Sequence, residues 1–148
     1  MQQLNLPSCE LKLKDEEGNR FVFDIVRKKY VVLTPEEWVR QHFIHLMINH
    51  LAYPKSLLKV ESALSYFKSA KRSDITLRQT DGNLFLMIEC KAPDVKLNQK
   101  ALNQVSVYNK ELQAKYVALT NGLKHFIWAY DDQQEKYSQL QNFPKFEE

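Results

Sequence analysis

The stretch "RSDITLRQTDGNLFLMIECKAP", residues 72–93, constrains this chain more than any other. Two apolar-rich runs flank Asp81-Gly82, and Asp-Gly is a favoured dipeptide for two-residue hairpin turns. With that turn, Arg78 is expected to face Phe85, Thr76 to face Met87 and Asp74 to face Glu89. Directly opposed residues share a face, with Cβ atoms roughly 5 Å apart. Alternation adds Lys91 to the face of Asp74 and Glu89. Ile75, Leu77, Leu84, Leu86, Ile88 and Cys90 take the other face and make a core.

Two opposed carboxylates repel and destabilise a sheet. A divalent cation offsets this, because Mg²⁺ takes one or two carboxylates together with waters and phosphate oxygens. An ammonium beside such an ion can orient a water and stabilise developing negative charge. The competing reading of the same spacing is a surface ion cluster in which Lys91 pairs with Asp74 or Glu89. A register shift of one residue would also separate the two acids.

The rest of the chain supplies a frame for the hairpin. "ELKLKDEEGNRFVFDIVRKKYVVLT" alternates around an Glu-Gly-Asn turn signal and reads as an N-terminal hairpin, with a further extended piece near Tyr30 to Leu33. A helix follows, with Thr34 as N-cap, Pro35 in the first turn and Glu37 completing a capping box. Trp38, Val39, Ile44, Leu46, Met47, Ile48 and Leu51 give it a broad apolar face, and it should stop before Pro54. Residues 57–67 read as a strand, although propensity alone also allows a helix there. Leu97, Ala101, Val105, Tyr108 and Leu112 form a second helical stripe. "YVALT", an Asn-Gly turn and "HFIWAY" complete the pattern, and the polar residues from Asp131 onward are expected at the periphery. The order implies an α/β (α+β) fold, a mixed sheet flanked by helices. We divide the 148 residues into an N-terminal hairpin extension (1–33), a core (34–130) and a tail (131–148), all in one domain.

Composition excludes several function classes. No apolar run approaches the roughly 18 residues of a membrane span. Cys9 and Cys90 do not suggest a disulfide framework, so a reducing cytoplasm is expected. "LPSC" at residues 6–9 lacks the basic start and apolar core of a lipoprotein signal. Three glycines make no nucleotide-binding loop, so no ATP-driven motor is expected within these residues. His42, His45, His50 and His125 show no zinc-ligand spacing, and Cys90 points to the core face, which argues against a nucleophile. The net charge of +3 permits a nucleic-acid partner without requiring one. Lys68, Lys71 and Arg72 form a basic loop just ahead of Asp74, suited to phosphate or simply to solvent. Arg27, Lys28 and Lys29 read the same way.

"SDI", a hairpin and then "IECK" resemble the PD-(D/E)xK nuclease signature, here Asp74, Glu89 and Lys91. "TPEEWVRQ", "IECKAP", "LNQKALNQVSVYNKEL" and "YVALTNG" together resemble the N-terminal nuclease region of type I restriction enzyme R subunits, over roughly residues 27–130. Ser73 stands where the signature has its proline. The resemblance implies a restriction-endonuclease-like fold that cuts DNA with Mg²⁺ or Mn²⁺. It implies metal binding by Asp74 and Glu89, a further ligand from the Cys90 backbone carbonyl and a catalytic role for Lys91. Gln104 and Tyr108 match the QxxxY element of the family, which contacts DNA phosphate or braces the site; Lys71 and Arg72 would also meet DNA. Glu37 is the candidate helical acid of the metal site, with Glu36 and Glu61 as alternatives. The implied partners are DNA, a separate motor or specificity subunit and a second copy of the chain, with no membrane. The alternative is a partner-dependent nucleic-acid-binding or assembly module that keeps the fold without cutting. A third reading is a nuclease acting on RNA or branched DNA.

Overall fold

Turn chemistry sets the N-terminal sheet. Glu17 and Gly18 both adopt positive φ (52° and 81°), the requirement of a two-residue primed turn. They join β1 (Leu13–Glu16) to β2 (Asn19–Asp24). The extended piece expected after the hairpin is a third strand, β3 (Lys29–Val32), and the antiparallel order is β1-β2-β3. The computed structural model describes residues 1–60 and 74–147, Asp74 by its backbone alone.

Helix α1 (Pro35–Asn49) begins as its sequence dictates, with the Thr34 hydroxyl accepting the Glu37 N–H at 3.0 Å. The reciprocal half of the expected capping box does not form. The Thr34 N–H goes to the Val32 carbonyl at 3.2 Å, and the Glu37 carboxylate is engaged elsewhere. Val39, Phe43, Ile44 and Met47 are fully buried and form the inner stripe.

A single 3-10 turn (Lys55–Leu57) leads into β4 (Leu58–Val60). The remainder of the strand expected over 57–67 lies outside the described residues, as do Glu61, Lys68, Lys71, Arg72 and Ser73. Next come β5 (Asp74–Arg78), β6 (Leu84–Cys90), α2 (Gln99–Leu112), β7 (Tyr116–Thr120), β8 (His125–Asp131) and β9 (Lys136–Leu140). The six strands β4 to β9 lie in sequence order, and β6 and β7 pair in parallel across the α2 crossover. The other pairs are antiparallel, so the sheet is mixed and the fold is α+β. All seven residues of β6 are buried. Two clusters line its two faces: Ile75, Leu77, Leu86, Ile88 and Cys90 pack with α1, and Met87, Val105, Tyr108 and Leu119 pack with α2.

The β5–β6 connection differs from expectation in two ways that cancel. The Gln79 N–H donates to the Asn83 carbonyl at 2.8 Å and the Gly82 N–H to the Gln79 carbonyl at 2.9 Å. Thr80, Asp81 and Gly82 therefore make a three-residue loop, with Gly82 in the left-handed region (φ 91°) such loops require. Arg78 pairs with Leu84 instead of Phe85. The register then shifts between Leu77 and Arg78, leaving Phe85 as an extra residue on β6. That bulge restores the expected pairs Thr76 with Met87 and Asp74 with Glu89. It also places Phe85 and Leu86 together in the α1 cluster and moves Leu84, expected there, to the α2 cluster.

The segment from Asp131 is less peripheral than its polarity suggests. β9 pairs with β8, Phe143 and Phe146 pack against the core, and the Tyr53 hydroxyl donates to the Pro144 carbonyl at 2.7 Å.

Candidate functional site

The C-terminal end of β6 carries Glu89 and Cys90, and Lys91 follows directly. Asp74 opens β5, and its backbone is the register partner of Glu89. On the other side Glu89 pairs with Leu119 of β7, a member of the α2 cluster. Register and alternation therefore put Glu89 on the α2 face of the sheet. Cys90 takes the α1 face, where it is fully buried.

Glu89 is 1% exposed, and its carboxylate lies 3.0 Å from the Lys91 ammonium. Burying a carboxylate is costly unless it is paired, and Lys91 supplies a charge whose own side chain remains 16% exposed. The pair thus faces inward at the acid and outward at the base. Lys91 is anchored through its backbone, because its N–H donates to the Thr120 carbonyl at 2.8 Å.

The loop after Lys91 is held by Asn121, which was legible in the sequence only as half of a turn. Its side-chain amide donates to the Val95 carbonyl at 2.9 Å, and its Oδ1 accepts from the Leu123 and Lys124 N–H groups. Thr120 adds a second fastening. His125 Nε2 lies 2.9 Å from the Asn5 carbonyl, which can only accept, so Nε2 carries the proton and the Thr120 hydroxyl donates to Nδ1 at 2.7 Å. The Thr120 oxygen in turn accepts the Gly122 N–H at 2.9 Å.

Helix α2 presents Gln104 and Tyr108 one turn apart, and the Gln104 amide donates to the Tyr108 hydroxyl at 3.3 Å. Gln104 is exposed. Tyr108 is buried in the cluster that contains Met87 and Leu119, the neighbours of Glu89 along and across the strands.

Glu37 sits in a different network. Its carboxylate accepts from Arg27 at 2.8 Å, from Gln41 at 2.9 Å and from Arg40. Glu36 pairs with Arg40 at 2.7 Å. Asp24, fully buried, accepts from the Val26 and Arg27 N–H groups, the Arg27 guanidinium and the Gln41 amide. Burial alone would raise the Asp24 carboxyl, but the Arg27 backbone N–H, the Gln41 amide and the Arg27 charge outweigh it and hold the group below its ordinary value. The network ties the N-terminal sheet to α1. Sequence alone offers Glu37 as a capping residue and as the helical acid of a metal site, and it gives no sign of Arg27, ten residues away.

Among the described residues no group of three or more His, Cys, Asp and Glu side chains could hold a metal ion. The Glu89 carboxylate offers oxygen donors, the kind that suits Mg²⁺ or Mn²⁺, and the Asp74 backbone lies across the ladder from it. No helix among the described residues is long and apolar enough to cross a membrane.

The sequence profile of the type I restriction enzyme R protein N terminus matches residues 35–144, which takes in α1, the hairpin, Lys91 and α2. No curated protein and no solved structure gives a significant match. The profile spans well over half of the 148 residues, and the chain belongs to the type I restriction enzyme R protein N terminus family.

Proposed function

We propose that this chain is a Mg²⁺-dependent DNA endonuclease-like domain of the PD-(D/E)xK type, acting in the cytoplasm. The observation that carries the reading is the backbone pairing of Asp74 with Glu89 beside a 3.0 Å contact between Glu89 and Lys91. Asp74, Glu89 and the Cys90 backbone carbonyl are the oxygen ligands. A cation held there would supply Lewis-acid polarisation of a phosphate oxygen and a more acidic water. Lys91 orients the attacking water through its N–H donors and stabilises charge that develops on the phosphate. The water oxygen bonds to phosphorus as the bond to the leaving sugar oxygen breaks. Gln104 and Tyr108 brace the α2 side of the site, and Lys71 and Arg72 contact the DNA backbone. A motor or specificity subunit is the partner this reading implies for directed cutting.

The test is cleavage of plasmid DNA in Mg²⁺ or Mn²⁺ by the parent and by Asp74→Ala, Glu89→Ala and Lys91→Ala. Each variant should lose cutting while circular dichroism shows the fold intact. Variants that cut as well as the parent would sink the assignment.

One observation favours a second reading, a DNA-binding or assembly module that does not cut alone. Glu37, the helical acid expected to join the metal, is engaged by two guanidinium groups and an amide. Salt-sensitive duplex binding with no cleavage under either metal supports that module instead.

A further inference from the structure

The N-terminal sheet lies entirely ahead of the family match, which begins at residue 35. Its two faces differ sharply. Val22 and Asp24 point inward and are fully buried, and Asp24 reaches Gln41 of α1 at 2.8 Å. The opposite face is built in two rows. Phe23 pairs with Tyr30, with Lys12 beside Phe23 on β1's side, where the Phe23 N–H bonds to the Lys12 carbonyl. Lys14 pairs with Phe21 and Phe21 with Val32. Tyr30 is 38% and Val32 53% exposed. None of Phe21, Phe23, Tyr30 and Val32 belongs to either core cluster among the described residues.

The lysines lie over the rings. The Lys14 ammonium is 4.3 Å from the Tyr30 ring centre and 6.0 Å from that of Phe21, and the Lys12 ammonium is 5.8 Å from that of Phe23. Lys14 also meets Glu16 at 3.1 Å, but both side chains are well exposed (43% and 61%). Such a pair contributes little, and a phosphate can displace it. The face therefore combines aromatic rings, which stack on any base, with cations that suit a sugar-phosphate chain. Phe21 and Phe23 stand two residues apart on one strand, about 7 Å. That is about twice the 3.4 Å advance per nucleotide in one strand of a duplex, so the spacing suits unstacked bases.

We propose that the outward face of the three-stranded sheet binds single-stranded DNA, with bases on Phe21, Phe23 and Tyr30 and phosphates on Lys12 and Lys14. The choice of DNA over RNA rests on the DNA reading above; the surface itself uses neither Asp74 nor Glu89.

The test is fluorescence anisotropy with labelled oligo-dT of about 16 nucleotides, the upper end of site sizes for stacking surfaces. It is run in EDTA, so cutting and metal binding play no part. The parent should bind oligo-dT more tightly than a duplex of equal length. Tyr30→Ser and Lys14→Gln, both at exposed positions, should each weaken binding at least about fivefold while circular dichroism shows each variant folded at the assay temperature. Val107→Ser, at an exposed position on α2, should leave binding as it is. Unchanged binding in the Tyr30 and Lys14 variants, preference for duplex, or tighter binding of oligo-rU would overturn the proposal. So would a parent dimer in sedimentation that Tyr30→Ser dissolves, since the face would then belong to a contact between copies.

Discussion

Glu89 and Lys91 form a 3.0 Å ion pair in which the acid is buried and the base reaches solvent. A buried acid without its cation is costly, while a neutral isostere is often tolerated. In the absence of metal, Lys91→Met should destabilise the fold by about 1–3 kcal/mol, and Glu89→Gln should change it by less than about 1 kcal/mol. Urea unfolding in EDTA measures both. A Glu89→Gln variant much less stable than the parent would mean that the carboxylate is chiefly a structural group.

Asp24 gives the fold an acid-sensitive joint. Its folded pKa is held below the unfolded value, and the bonds from Arg27 and Gln41 outweigh the cost of burial. Such a group stabilises the fold above about pH 4, and that contribution is lost as the pH falls through the lowered folded value. Asp24→Asn should cost about 2–4 kcal/mol at pH 7. The gap between parent and variant should narrow on going to pH 3, as denaturant titrations at the two pH values would show.

Two glycines with similar backbone angles should respond differently to alanine. At Gly82 (φ 91°) an added Cβ meets nothing within 4 Å, so Gly82→Ala should cost about 1 kcal/mol from backbone strain alone. At Gly122 (φ 85°) the Cβ would lie 2.8 Å from Leu4 Cδ2 and 3.0 Å from Val39 Cγ2. Gly122→Ala should cost about 2–4 kcal/mol, read from denaturation midpoints.

The C-terminal aromatics hold more than their sequence context suggests. Phe146 packs 5.3 Å from Phe85 and Phe143 packs 5.5 Å from Phe43, centre to centre. Phe146→Ala should cost about 1–3 kcal/mol, less than a fully buried Phe because the ring is partly exposed. A variant as stable as the parent by calorimetry would show that this packing adds nothing.

The helices and the strand order were readable because capping chemistry at Thr34 and the stripe from Leu97 to Leu112 are local signals. The pairing of Asp74 with Glu89 also follows from the sequence, though by way of a two-residue turn where the structure has a three-residue loop. The Thr80 to Gly82 loop adds one residue and the Phe85 bulge absorbs it. The bulge puts one extra residue of β6 against β5, and no short window of sequence carries a signal for it. The same limit hid the Arg27 and Glu37 pair and the fastening of the Lys91 loop by Asn121. Phe143 and Phe146 carry no local core signal because the residues around them are mostly polar.

Mn²⁺ binding, followed by the ion's paramagnetic signal with and without duplex DNA, tests the central claim most directly. The parent should bind Mn²⁺ at a site that Mg²⁺ competes for. Asp74→Asn and Glu89→Gln should each weaken that binding at least about tenfold, and Glu37→Gln should not. Equal Mn²⁺ affinity in the parent, Asp74→Asn and Glu89→Gln proteins would contradict a metal site built on the pairing of Asp74 with Glu89.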